Sequence, residues 1–363
     1  MVAEFSLPIG CPGPRSLEAL SIMSQPRVVS LLPAATEILC LIGGRSMLVG
    51  RSHECDFPGP GSAASVLDLP ILTAARVFDA AQHSEPHSGP VDSGAIDRQV
   101  RELTAAGQPL HTLNEALLTS LRPDVILTQD LCDVCSIDLA TVRAIAQRMN
   151  PQPRIISLNP QTLEGVIDDV LTVGEAVGLD DAARHATVAL RERLFRATDY
   201  VNPFADGPSV GFLEWTDPLF VAGHWNVQLI ERAGGFHPLN ASVADASDGA
   251  AAGPMASLRR AGKSIRVPAE VFAATRPELI VIAPCGLNLV QTRAAAADLA
   301  RQPWWGGLPA VQRGHVALVD GNQMFNRPGP RLADAFEFLV GLLNDRPDVI
   351  PAGFPWERMI SLT

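Results

Sequence analysis

Six residues have types suited to soft-metal or redox chemistry. Cys55 in SHECD, Cys132 and Cys135 in CDVC and Cys285 in APCG all follow apolar, strand-like runs, and His53 and His224 fall in comparable stretches. Thiolate and imidazole are the donors that zinc, copper and cobalt accept. If the fold gathers these side chains, they form a metal site. The plainer readings stand beside that one, because cysteine is also a good small buried residue and a lone CxxC serves equally as a redox pair. The second CxxC of a four-cysteine zinc ribbon is absent. Cys40 sits among Ile38, Leu39, Leu41 and Ile42 and reads as core, while Cys11 belongs to the leader. Recognisable catalytic motifs are missing: there is no GxSxG elbow, no HExxH, no GxxxxGK[ST] loop and no GxGxxG after a strand. The sequence therefore points to binding rather than catalysis, with a metal-binding or thiol-redox protein as the alternative.

The elements that would position these residues alternate as strand and helix from residue 26 onward. VVSLL, SMLVG, DVILTQ and RIISL read as buried strands, separated by helical patterns such as TEILCLIGG. A second round follows with SVGFLEW, NVQLIERAGG, ELIVIAPCG and HVALVDG, and the two rounds echo each other in SLRPDVILTQDLC and ATRPELIVIAPCG. At 363 residues the chain has room for about two domains. The expected organisation is a mobile leader at 1–25, an α/β lobe at 26–160 with an inserted surface loop at 74–110, a connecting helix at 161–200, a second α/β lobe at 201–345 and a tail at 346–363. In open α/β sheets, ligands bind outside the carboxyl ends of the strands. The six Cys and His residues should then converge on a cleft between the lobes.

A formal charge of -11 leaves no basic surface for nucleic acid. No apolar stretch reaches the ~18 residues of a membrane span. The first 25 residues lack the basic start and apolar core of a secretory signal, which leads to a cytoplasmic placement, with an exported or organellar form as the alternative.

The runs RVVSLLPAATEILCLIGG, NEALLTSLRPDVILTQ, PAEVFAATRPELIVIAP, FLEWTDPLFVAGHWNVQLIERAGG and LPAVQRGHVALVDGNQMFNRPGPRLADAFEFL, in this order over about residues 26–345, resemble the cobalamin- and siderophore-binding proteins of ABC importers, and the cobalamin branch above all. The resemblance implies two similar α/β lobes bridged by a long helix, with a non-catalytic cleft that holds cobalamin or a related metal-containing macrocycle. It implies a corrinoid as ligand, an ABC permease as partner and no nucleic acid. An enzyme acting on a bound corrinoid is the alternative. Flat aromatic walls suit such a ligand, which singles out Trp215, Trp225, Trp304, Trp305 and Phe220; Asp130 and Glu214 could hydrogen-bond its amides. Under this resemblance the cysteines and histidines would contact cobalt or hold zinc or another transition metal. Glu115 and Glu270 occupy matching places in the two halves, where the family's permease-docking glutamates stand.

Overall fold

Residues 25–77, 92–130, 137–244 and 259–359 are described by a computed structural model. The first lobe runs β1 (Val28–Ser30), α1 (Pro33–Leu41), β2 (Leu48–Arg51), β3 (Thr73–Ala75), α2 (Ser93–Ala105), β4 (His111–Leu113), α3 (Glu115–Leu121), β5 (Val125–Thr128), α4 (Leu139–Ala146) and β6 (Arg154–Ser157). Four of these strands form a parallel sheet in the order β2-β1-β5-β6. Short runs of branched apolar residues, buried throughout in β1 and β5, are what a parallel sheet covered on both faces requires. Each helix returns the chain so that every carboxyl end lies on one edge. Local chemistry fixes the helix starts: Pro33 opens α1, and the side chains of Asp92, Asn114 and Asp138 cap α2, α3 and α4. Within the insertion expected at 74–110, the described residues place α2 between β3 and β4, which pair antiparallel.

The connecting stretch at 161–200, whose helical pattern breaks near Gly178 and Asp180, is two helices, α5 (Leu163–Val177) and α6 (Asp180–Thr198). Gly178 adopts a left-handed φ of 75° and ends α5, a conformation that costs glycine little. The chain then doubles back so closely that a Cβ on Gly174 would lie 2.3 Å from that of Ala183. Arg191 on α6 reaches Asp168 on α5 at 2.7 Å. The pair grips both lobes: α5 packs on α1, and Arg193 of α6 binds residues 334 and 337 of the second lobe.

That lobe comprises β7 (Val210–Thr216), β8 (Leu219–Val221), α7 (His224–Arg232), β9 (Ile265–Arg266), α8 (Ala269–Ala274), β10 (Leu279–Ile282), α9 (Leu289–Ala300), α10 (Pro309–Gln312), β11 (Val316–Val319), α11 (Leu332–Leu343) and β12 (Trp356–Arg358). Its sheet has the order β12-β11-β10-β7-β8-β9. Strands β7, β10 and β11 are parallel, whereas β8, β9 and β12 run against their neighbours. The segment beyond residue 345, expected to be a tail, thus supplies an edge strand. One apolar cluster passes from Ile38 on α1 through Val166 on α5 and Leu190 on α6 to Ile230 on α7 and Phe336 on α11. Continuous burial of this kind resists hinge opening about the helical bridge.

Asp169 on α5 lies in that bridge, and burial, aided by the charge of Asp168, pushes its carboxyl up to about 7. The folded protein holds its proton where the unfolded chain gives it up, so the cost is absent below about pH 4 and complete above about pH 7. Asp169→Asn should therefore stabilise the protein by about 1–2 kcal/mol near pH 8, allowing for partial exposure, and have no effect near pH 3.5. Urea unfolding at both pH values checks this, and an equal effect at both would contradict it.

Candidate ligand cleft between the lobes

The carboxyl ends of the parallel strands in the two lobes face each other. After β2, Asp56 crosses from the first lobe to Arg327, 2.5 Å away, and to Asn322 at 3.3 Å. Beneath it, Glu37 on α1 takes hydrogen bonds from Arg331 at 2.5 and 2.9 Å, with Arg327 3.5 Å away. The Arg331 guanidinium also lies over the Phe57 ring. Glu37, Arg327 and Arg331 are all buried. Buried charges survive only when paired and hydrogen-bonded, and each of these is. Burial opposes the charge on Arg327, but Asp56, Glu37 and Glu54 outweigh it and hold the group above the usual arginine range. At Glu54, burial again opposes ionisation; a hydrogen bond from His53, with the fields of His53, Arg327 and His111, wins and holds the carboxyl at about 2.

Sequence reasoning missed this network. The signal was present in a glutamate inside the apolar helix TEILC and in two arginines bracketing the glycine and prolines of NRPGPR, but neither placement reveals its partner.

The lobes meet again across the β7–β8 turn. The Trp215 indole N–H donates to the Asp217 carbonyl at 3.0 Å and reaches the Ser93 carbonyl of α2 at 3.3 Å, while the Ser93 and Thr216 hydroxyls are 3.1 Å apart. The end of β10, with Cys285, lies between this contact and the ion network. A cavity of about 650 Å³ opens beside the turn, lined by both lobes and bounded by Ser93, Thr216, Arg266 and Trp304.

Of the other aromatic candidates, Trp225 and Trp305 are core, while Trp304 and Phe220 are partly buried. Trp225 is buried and donates its indole N–H to the Phe325 carbonyl at 2.7 Å. It follows β8, which runs antiparallel to β7, so the loop after β8 lies away from the edge where the parallel strands end. His224 stacks on Trp225 for the same reason, and burial lowers its basicity. Trp305 is buried in the second lobe's core, and Trp304 packs edge-on against it and against Phe272. Both precede β11 and therefore lie at the amino end of that strand. Phe220 is half-buried opposite Trp215 in the hairpin. The Glu214 carboxylate accepts from Asn226 and from the Gly223 backbone, which spends it on holding the start of α7. Asp130 is exposed at the end of β5, its backbone N–H bound to Asn159.

Cys132 and Cys135 lie outside the described residues. Among the described residues, no group of three or more His, Cys, Asp and Glu side chains could hold a metal ion, so Cys55, Cys285, His53 and His224 form no metal site by themselves. Cys55 faces inward, with the Thr36 hydroxyl 3.0 Å from its sulfur, and burial pushes the thiol up and away from the thiolate a metal needs. Cys285 is exposed, and the His53 ring bonds Thr73. Glu115 and Glu270 do occupy equivalent places, each in the first turn of the short helix before a central strand, α3 before β5 and α8 before β10. Glu115 pairs with Arg148 at 2.5 Å.

Two α/β lobes held by helices, with strand ends opposed across a cleft, define the fold of the periplasmic binding proteins with a helical backbone. No family model matches the chain, and no curated protein matches it in sequence. Solved structures do. The chain is similar to a periplasmic heme binding protein from Pseudomonas aeruginosa, with a TM-score of 0.64 at 19% identity over 93% of this chain and 99% of that one. It is also similar to the periplasmic vitamin B12 binding protein BtuF of Vibrio cholerae, with a TM-score of 0.57 at 19% identity over 89% and 99%. A third is the periplasmic heme-binding protein RhuT from Roseiflexus sp. RS-1, again with a TM-score of 0.57 at 19% identity, over 89% of this chain and 99% of that one. These neighbours are periplasmic, which overturns the cytoplasmic placement drawn from the first 25 residues.

Proposed function

We propose that the chain is the non-catalytic binding component of an ABC importer and that it takes cobalamin or a closely related corrinoid between its lobes. The observation that carries this reading is the opposition of two sets of strand carboxyl ends across a cleft whose helical bridge touches both lobes. The choice of ligand rests on charge. Glu54, Asp56, Asp130 and Asp217 stand along the facing edges, while Arg327 and Arg331 are engaged by Asp56 and Glu37. Such an edge repels the carboxylates of a haem. It can accept hydrogen bonds from the neutral primary amides around a corrin ring. Exposed Glu270 and Glu115, matched between the lobes, suit a permease that presents arginines to both.

Tryptophan fluorescence tests the reading, because Trp215 is at the cleft edge. Cyanocobalamin is expected to quench it saturably at micromolar concentrations, and hemin to do so more weakly. Quenching by hemin alone would replace the corrinoid with a haem, and no quenching by either would remove macrocycles from the account.

A further inference from the structure

The N-terminal turn of α2 belongs to the insertion in the first lobe, yet its nearest partners are in the second. Ser93 and Thr216 are each 6% exposed and share a hydrogen bond, and the Ser93 carbonyl accepts from Trp215. Gly94 lets the two segments lie close, because a Cβ there would stand 2.6 Å from an Asp217 carboxylate oxygen and would turn that side chain away from the helix end. That carboxylate therefore sits against the start of a thirteen-residue helix, where unsatisfied backbone N–H groups favour negative charge. On the other side of the end of β10, the Asp56–Arg327 contact already ties the lobes. The cleft is thus tied at both flanks, by buried ions on one and by a few neutral hydrogen bonds and one helix end on the other.

We propose that the Asp92–Gly94 turn is a strap that holds the cleft shut from the β7–β8 side and that its release sets the rate at which ligand enters. The weaker flank opens first, since parting a few neutral hydrogen bonds costs little once water reaches them, whereas parting Arg327 from Asp56 and Glu37 leaves charged groups without partners. The inference about entry rests on the proposed function; the tie between the lobes does not.

Two experiments on the full chain decide it. Hydrogen exchange needs no ligand: Gly94→Val should speed exchange by about tenfold or more in both α2 and the β7–β8 turn, leaving β1 and β5 unchanged, and with an unaltered circular dichroism spectrum. Faster exchange in α2 alone would overturn the strap. In the second experiment, Ser93→Cys with Thr216→Cys places two thiols where hydroxyls already touch, and mild oxidation should join them, as peptide mapping would show. The reduced form, which lacks the hydroxyl–hydroxyl bond, should take up cyanocobalamin at least as fast as the wild type, and the oxidised form at least tenfold more slowly than the reduced form. Equal rates would overturn the gating role, and so would failure of the disulfide to form. If the reduced form binds neither cyanocobalamin nor hemin, the proposed function falls, and the exchange experiment alone decides the strap.

Discussion

Glu37→Ala is expected to destabilise the protein by about 3–5 kcal/mol, the usual cost of stripping one partner from a buried ion pair. Arg331 loses both of its short hydrogen bonds to Glu37, and Arg327 loses one of its carboxylate neighbours. Both guanidiniums stay buried, so the loss is greater than the pair's net contribution. Two comparisons separate these effects. Replacing Glu37 and Arg331 together by Met should restore much of the stability, because apolar side chains of similar volume need no partners. Arg327→Met should be milder than Glu37→Ala, since half-exposed Asp56 can turn to water. Denaturant unfolding of the four proteins would check the order, and a Glu37→Ala effect below about 1 kcal/mol would show that the network is solvated.

Trp225→Ala is expected to cost a similar amount, about 3–5 kcal/mol, with no direct effect on ligand contacts. The side chain fills the second lobe's core and satisfies the Phe325 carbonyl. Trp215→Ala should behave in the opposite way. The Trp215 indole is half-buried at the cleft edge, so its removal should change stability little and abolish most of the ligand-dependent fluorescence quenching. Thermal unfolding and fluorescence titration of both variants check the contrast. A stable Trp225→Ala protein that no longer responds to ligand would put Trp225 back in the cleft.

The contrast between these tryptophans shows how far the sequence could be read. Strand-forming runs such as VVSLL and DVILTQ, and the repeat linking SLRPD to ATRPE, were enough to expect two lobes, because buried parallel strands leave a local signature. Direction leaves none. The hairpin made by Asp217 and Pro218 reverses β8, so AGHW follows a strand without lying at the cleft. Trp304 and Trp305 read in sequence as walls for a ligand just as Trp215 does, yet they precede β11 instead of following it. The double helix at 161–200 was marked by Gly178, but only the close approach of Gly174 to Ala183 shows that the chain turns back there. Glu37, Asp56, Arg327 and Arg331 were hidden for another reason, since their partners lie roughly 270–290 positions away and long-range pairing has no local pattern. Cysteine misled for the same reason: Cys55 follows a strand as a ligand would, but its side chain turns toward Thr36.

The central claim is that one corrinoid is held between the lobes of each chain, and isothermal titration of the purified protein with cyanocobalamin tests it most directly. The account predicts a single saturable site with one ligand per chain, a dissociation constant at or below the micromolar range, and a markedly weaker response to hemin under the same conditions. No heat with cyanocobalamin at tens of micromolar, together with one-to-one binding of hemin, would contradict it.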